Sequence, residues 1–199
     1  MKLALLACLV ASPALATCPT RADLTEGVIL VQNEPSFLRS DIEIRGAGLF
    51  EVRLMRDADE NASAMTLAYA HALAPEAIND AGALRLRAYD PAVTTLDRLD
   101  EAGDLTFDLI ERDEAGEETS ARLLFNHLGT RTREILDCSY EVWTVREMTA
   151  RPGGEITTRE LEYAPDLGVL LAAHEIDAAG QRRAIYEYTW IGTAADVAR

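Results

Sequence analysis

A mainly β fold is predicted, with little helix and with a single large antiparallel sheet strongly curved into a half-barrel or open barrel meander. Three observations predict it. Short runs rich in β-branched and aromatic residues recur along most of the chain, with apolar and polar side chains alternating at a period of two. Turn residues separate these runs, as in Pro152-Gly153-Gly154, Ala164-Pro165-Asp166-Leu167-Gly168 and Asp177-Ala178-Ala179-Gly180. Strands joined so tightly run antiparallel beside their sequence neighbours. Long helical patterns are few, and there is no low-complexity segment and no repeat at a fixed period.

Met1 to Ala16 carry Lys2, an apolar run from Leu3 to Val10, and the small-x-small tripeptide Ala14-Leu15-Ala16. This is the layout of a cleavable secretory signal peptide over 1–16, and its apolar run is too short to span a bilayer. A lipoprotein signal wants a small residue before its acceptor cysteine, whereas Thr17 precedes Cys18. Cleavage leaves 17–199 as a single β-rich domain, and the expected location is the periplasm. The cleaved chain retains Cys18 and Cys138, a pair expected to form a disulfide in an oxidising compartment.

Val28 to Val31 form an apolar run stopped by Pro35, Ile42 and Ile44 alternate with charges, and Phe50, Val52 and Leu54 alternate with Glu51, Arg53 and Met55. The acidic stretch Asp57 to Ala62 resembles the start of a calcium loop, but Ala62 and Ala68 stand where such a loop needs glycine and glutamate. It reads as a solvated turn. Over Ala62 to Ala74 the alanine content favours helix, whereas the strict alternation of Met65, Leu67, Tyr69, His71 and Leu73 with small residues favours strand. The alternation is preferred. Pro75 is expected to end that element, with a helical turn following before Gly82.

Leu84 to Arg87 alternate, and Val93 to Leu99 read as another strand. Leu105, Phe107 and Leu109 then form the clearest hairpin with Thr119 to Phe125, turning at Asp113 to Gly116. Asn126 to Gly129 read as a turn, and Cys138 to Ile191 hold the last strands. From about Gly192 the tail has little to bury and is expected to be loose. Glu160 and Glu162 on one face of their run and Arg159 on the other oppose a lipid-facing barrel, so the protein is not expected to span a membrane.

The chain has a formal net charge of −15, one unit more negative once Lys2 leaves. Nucleic acid and anionic membrane surfaces are therefore excluded as partners. Lys2 is the only lysine, so the mature chain has none for a Schiff base or phosphate-binding loop. No nucleophile elbow, zinc-protease helix or Cys-x-x-Cys motif is present. His71, His127 and His174 lie at no metal-ligand spacing and read as separate histidines with ordinary polar partners. No metal or cofactor is expected. Asp108, Glu111, Glu141, Glu160 and Glu175 offer paired carboxylates only if the fold brings two of them together.

The aromatics carry more information. Tyr186, Tyr188 and Trp190 share one face of the last strand by alternation, and Tyr69, Trp143 and Tyr163 are positioned to join it. These six rings either fill the core or form a concave apolar wall suited to a lipid-like or peptide ligand.

With an export signal, one pairable set of cysteines and the inter-strand run Tyr163 to Leu170, the chain resembles exported half-barrel proteins of the lipoprotein-carrier (LolA-like) type. That resemblance implies a long antiparallel sheet curled around an apolar groove for acyl chains or partner proteins. The scarcity of helices departs from it, since such carriers plug the groove with helices. The function expected is a non-enzymatic periplasmic binding or accessory protein. The alternatives are a hydrolase or isomerase using carboxylates and His71 or His174, and a structural partner in an envelope assembly that binds through a sheet edge.

Overall fold

The computed structural model describes residues 18–57, 59 and 61–197. The signal peptide expected at 1–16 therefore lies outside the described residues. Among the described residues thirteen strands form one antiparallel sheet. They are β1 (Val28–Gln32), β2 (Phe37–Arg45), β3 (Gly48–Arg56), β4 (Ala62–His71), β5 (Ala74–Asp80), β6 (Ala83–Asp90), β7 (Asp104–Asp113), β8 (Glu118–Ile135), β9 (Cys138–Ala150), β10 (Ile156–Ala164), β11 (Val169–Ile176), β12 (Arg182–Glu187) and β13 (Trp190–Thr193). From β1 to β12 every strand pairs with its sequence neighbours, as the tight turns require, and β13 returns to the free side of β1. The expected curved antiparallel sheet is thus the observed one.

Only Tyr188 and Thr189 separate β12 from β13. The Tyr188 N–H donates to the Leu171 carbonyl of β11 at 3.1 Å, and the Thr189 N–H donates to the Val31 carbonyl of β1 at 2.9 Å. These two residues tie the two ends of the sheet together. No ladder joins β12 to β1, so the sheet curls without closing. Register shifts in β4, β8, β10 and β11 assist the curl, because a bulge bends its strand and raises local twist.

Several local expectations are corrected. Pro75 does not end an element: β4 turns at the buried Ala72 and Leu73, and Pro75 sits second in β5, beside a register shift where a missing N–H is tolerated. No helical turn follows it before Gly82; β5 runs to Asp80. Val93 to Leu99 are not strand but a 3₁₀ segment, Val93–Arg98, running into the single helical turn α1 (Leu99–Ala102). Val93, Leu96 and Leu99 are all buried, and a spacing of three suits one side of a 3₁₀ helix. The β-branched Val93, Thr94 and Thr95 hid that period.

Asn126 to Gly129 do not turn the chain. They lie inside the long β8, where a shift between His127 and Gly129 bends the strand without reversing it, and Gly129 has a φ of 140°. The tail expected from about Gly192 begins inside β13. Gly192 and Thr193 complete β13, and the helical turn α2 (Ala194–Val197) follows, with Asp196 accepting the Thr193 N–H and hydroxyl at 2.8 Å. Backbone pairing with β1 and this cap hold a segment that has few apolar side chains to bury.

Leu24, from a 3₁₀ turn at Arg21–Thr25, joins Val93, Leu96 and Leu99 in one large core with strand residues such as Val28, Leu30, Phe107, Phe125, Val145 and Leu171. Cys18 and Cys138 form the expected disulfide, with Cα atoms 5.4 Å apart. The Tyr140 hydroxyl donates to the Pro19 carbonyl beside it at 3.1 Å.

Candidate functional site

On β3 two polar side chains, Glu51 and Arg53, lie inward between the apolar Leu49 and Met55. Ladder pairing places Glu51 opposite Ile42 and Leu67, and Arg53 opposite Ser40 and Met65, so both charges share the face of the core residues of β2 and β4. Glu51 is 3 % exposed, whereas Leu54 on the other face is 39 % exposed. The Arg53 Nε donates to Glu51 at 2.7 Å, and the Ser40 and Tyr69 hydroxyls each donate to it at 2.5 Å. Ser40 has spent its proton on Glu51, so the Tyr188 hydroxyl donates to Ser40 Oγ at 2.5 Å. The Arg53 guanidinium also lies 4.9 Å from the centroid of the Tyr186 ring. Burial pushes the Glu51 carboxyl up, but the Arg53 charge and the three donors outweigh it and hold it below the ordinary value. Burial raises the Tyr69, Tyr186 and Tyr188 phenols, which remain protonated donors at neutral pH.

Five of the six aromatic residues singled out in the sequence are buried: Tyr69, Trp143, Tyr163, Tyr186 and Tyr188. They fall into two groups. Tyr69, Tyr186 and Tyr188 surround the Glu51 network, while Trp143 and Tyr163 meet edge-on at 5.6 Å and pack against His127 and His71 respectively. Trp190 does not share their face. Opposite it stands the outer residue Val31, and the buried Ile191 takes the inner place opposite Leu30. The irregular pair Tyr188 and Thr189 shifts the alternation by one, which a continuous period of two does not anticipate. The cavity left beneath Glu51, Arg53 and the tyrosines is about 10 Å³.

The histidines are separate. His71 ends β4 in a recess of about 150 Å³ beside Arg21, Asp97 and Tyr163. Its Nδ1 accepts the Leu73 N–H at 3.1 Å, and its buried Nε2 has no hydrogen-bond partner. Asp97 Oδ1 lies 3.5 Å away. Burial lowers the His71 pKa to about 4, with Asp97 opposing the shift and Arg21 adding to it. His174 is buried on the other face of the sheet, with Glu187 on Nε2 and Arg182 on Nδ1. Four of the five proposed carboxylates meet arginines: Glu111 pairs with Arg87 at 2.7 Å, Glu160 with Arg182 at 3.4 Å, Asp108 with Arg122 at 3.4 Å, and Glu175 with Arg183; Glu141 lies exposed on β9. Among the described residues no group of three or more His, Cys, Asp or Glu side chains is placed to hold a metal ion.

Glu162 on β10, only 1 % exposed, receives Arg131, Arg133 and Arg182. Arg133 also donates to the Tyr188 carbonyl at 3.1 Å, which fastens the tie between the sheet ends. Sequence reading missed Ser40, Glu51, Arg53, Asp97, Arg21 and Glu162 as a set. Each looks like an ordinary surface residue, and the one available signal was the exact alternation of Glu51 and Arg53 with apolar neighbours.

The chain matches no protein-family model. Nor does it match any curated protein. Among solved structures it is similar to the hypothetical lipoprotein YmcC from Escherichia coli (K12), with a TM-score of 0.47 and 12 % identity over 78 % of this chain and 80 % of that one. A likeness at that level transfers no residue and no activity. Among the described residues no helix is long and apolar enough to cross a membrane.

Proposed function

We propose that this chain is an exported, non-enzymatic accessory protein of the cell envelope that engages a protein partner through the free side of its sheet end, and does not carry an apolar ligand. One observation carries this reading: the part of the concave side around Glu51 and the aromatic residues is filled. Tyr69, Trp143, Tyr163, Tyr186 and Tyr188 are core residues around a buried ion pair, and the space left beside that pair is about 10 Å³, far below the several hundred Å³ of ordinary ligand pockets. One of the two sheet ends is β12, whose residues Arg182 to Ile185 are exposed and whose outer side has no ladder partner among the described residues. An unpaired strand edge offers backbone donors and acceptors to an added strand. The disulfide supports export, since such bonds persist in oxidising compartments.

The histidines speak against hydrolase or isomerase chemistry. His71 titrates near 4 and already uses Nδ1 as an acceptor, which makes it a poor general base at neutral pH. Both ring nitrogens of His174 are engaged.

Native mass spectrometry of the protein released from its own envelope tests the filled interior. A bare polypeptide mass is expected, and a stoichiometric lipid or other apolar adduct overturns the reading. A photo-crosslinking residue at Ile185 is expected to capture a discrete partner that the same residue at the exposed Leu86 of β6 does not. Equal capture at both positions removes the edge from the proposal.

A further inference from the structure

The recess at His71 is outside the filled interior and has chemistry of its own. Its floor presents two buried groups, His71 and Tyr163, whose ring centroids are 5.2 Å apart. The His71 side chain is 7 % exposed. Because Nδ1 accepts the Leu73 N–H, the neutral imidazole carries its proton on Nε2, and that donor is buried and unpartnered. Asp97 Oδ1 at 3.5 Å lies beyond the ordinary N–H···O range and gives this donor no more than a weak contact. Native interiors rarely leave such a donor orphaned, and a missing ligand is one of the few explanations. Burial pushes the Tyr163 phenol up to about 12, so it too stands as a donor at neutral pH.

The rim carries opposite charges. Arg21 and Asp97 are both exposed and line the same recess, and both act electrostatically on His71 and on Tyr163. Among the described residues Arg21 forms no ion pair; its guanidinium lies against the backbone of Gly168, where a Cβ would stand 3.6 Å from it. Leu24 and Leu49 add apolar surface to a lining that is otherwise largely polar. A simple anion would meet the Asp97 charge and the acidic field of the whole chain, and a simple cation would meet Arg21 and two donors. A molecule bearing both charges satisfies every group.

We propose that this recess binds a small zwitterion of the free α-amino acid class. Its carboxylate lies between Arg21 and the His71 Nε2–H, its ammonium lies on Asp97, and a short side chain contacts Leu24 and Leu49. The volume of about 150 Å³ restricts it to the smaller members of that class. This site is independent of the sheet edge, so its failure leaves the accessory reading intact, and the reverse also holds.

The test is NMR titration of the full disulfide-bonded chain with glycine and L-alanine, following the imidazole resonances of His71 and the backbone amides of Asp97 and Tyr163. Saturable shifts confined to the recess are expected. Acetate and methylammonium, which carry one charge each, are expected to bind at least about tenfold more weakly. Arg21→Gln and Asp97→Asn change exposed rim residues, so the spectrum elsewhere should be retained while amino-acid affinity falls about tenfold in each. The proposal is overturned if neither amino acid shifts the recess, if acetate binds as well as glycine, or if both variants titrate like the parent.

Discussion

At the scale of single residues, burial decides which charges matter. His71 ordinarily titrates near 6.5 and does so near 4 in the fold. Between those values the unfolded chain binds a proton that the folded chain refuses, so stability falls as pH drops from about 6.5 to about 4 and this contribution is level below that. The loss amounts to about 3 kcal/mol for an imidazole so enclosed. The groups facing it are Asp97, which moderates the effect, and Arg21, which enlarges it. Urea unfolding at a series of pH values should show this slope in the parent and not in His71→Asn; equal slopes would refute it. Glu51 and Arg53 offer the complementary case. Glu51→Leu strands a largely buried guanidinium and is expected to cost about 3–5 kcal/mol, while the double change Glu51→Leu with Arg53→Met should recover much of the loss. A double change worse than the single one would show that the pair contributes more than its own neutralisation. Glu51 titrates below its ordinary value of 4.5, so its share of stability is present above that pH and is lost on stronger acidification.

At the scale of elements, the decisive feature is the two-residue tie between β12 and β13. One carboxylate braces it: Glu162 holds Arg133, and Arg133 holds the Tyr188 carbonyl. Burial raises the Glu162 pKa, but Arg133 and Arg131 reverse that and bring it below the ordinary value. Glu162→Gln should therefore cost about 1–3 kcal/mol and act locally. Hydrogen exchange at the Tyr188 and Thr189 amides should accelerate more than at the central strands β5 to β8, and a uniform change would remove the bracing role. Two of the corrected elements share one cause. Pro75 and the Asn126 to Gly129 stretch carry strong local turn signals, yet each sits at a register shift where a strand absorbs an irregular residue and continues.

At the scale of the whole molecule, almost all pairing is between sequence neighbours, and two long-range links complete the fold. One is β13 on β1; the other is the Cys18 to Cys138 disulfide, across a sequence separation of 120. Replacing both cysteines by serine is expected to lower stability by about 4–5 kcal/mol on a chain-entropy account. Chemical denaturation of the double variant checks it, and an unchanged midpoint would mean that the unfolded chain is already constrained. The charge asymmetry belongs at this scale too. With arginine as the only cation among the described residues, carboxylates meet planar guanidinium partners, which suits the paired interior of β3 and the bracing of Glu162.

By itself the sequence determined the meander and the pairing of Cys18 with Cys138. Period-two alternation, turn residues and a single available pairing act over short stretches or by elimination, and no distant contact alters them. The tertiary structure alone decided which face is inside and what fills it. Glu51 and Arg53 look like the solvated side of a strand until Ser40, Tyr69 and Tyr188 arrive from three other segments to satisfy them. Trp190 looks like a partner of Tyr188 until Thr189 shifts the alternation. Parity is inherited from residue to residue, so one bulge reverses everything beyond it. A buried charge is tolerable only when its partners, far away in sequence, are in place.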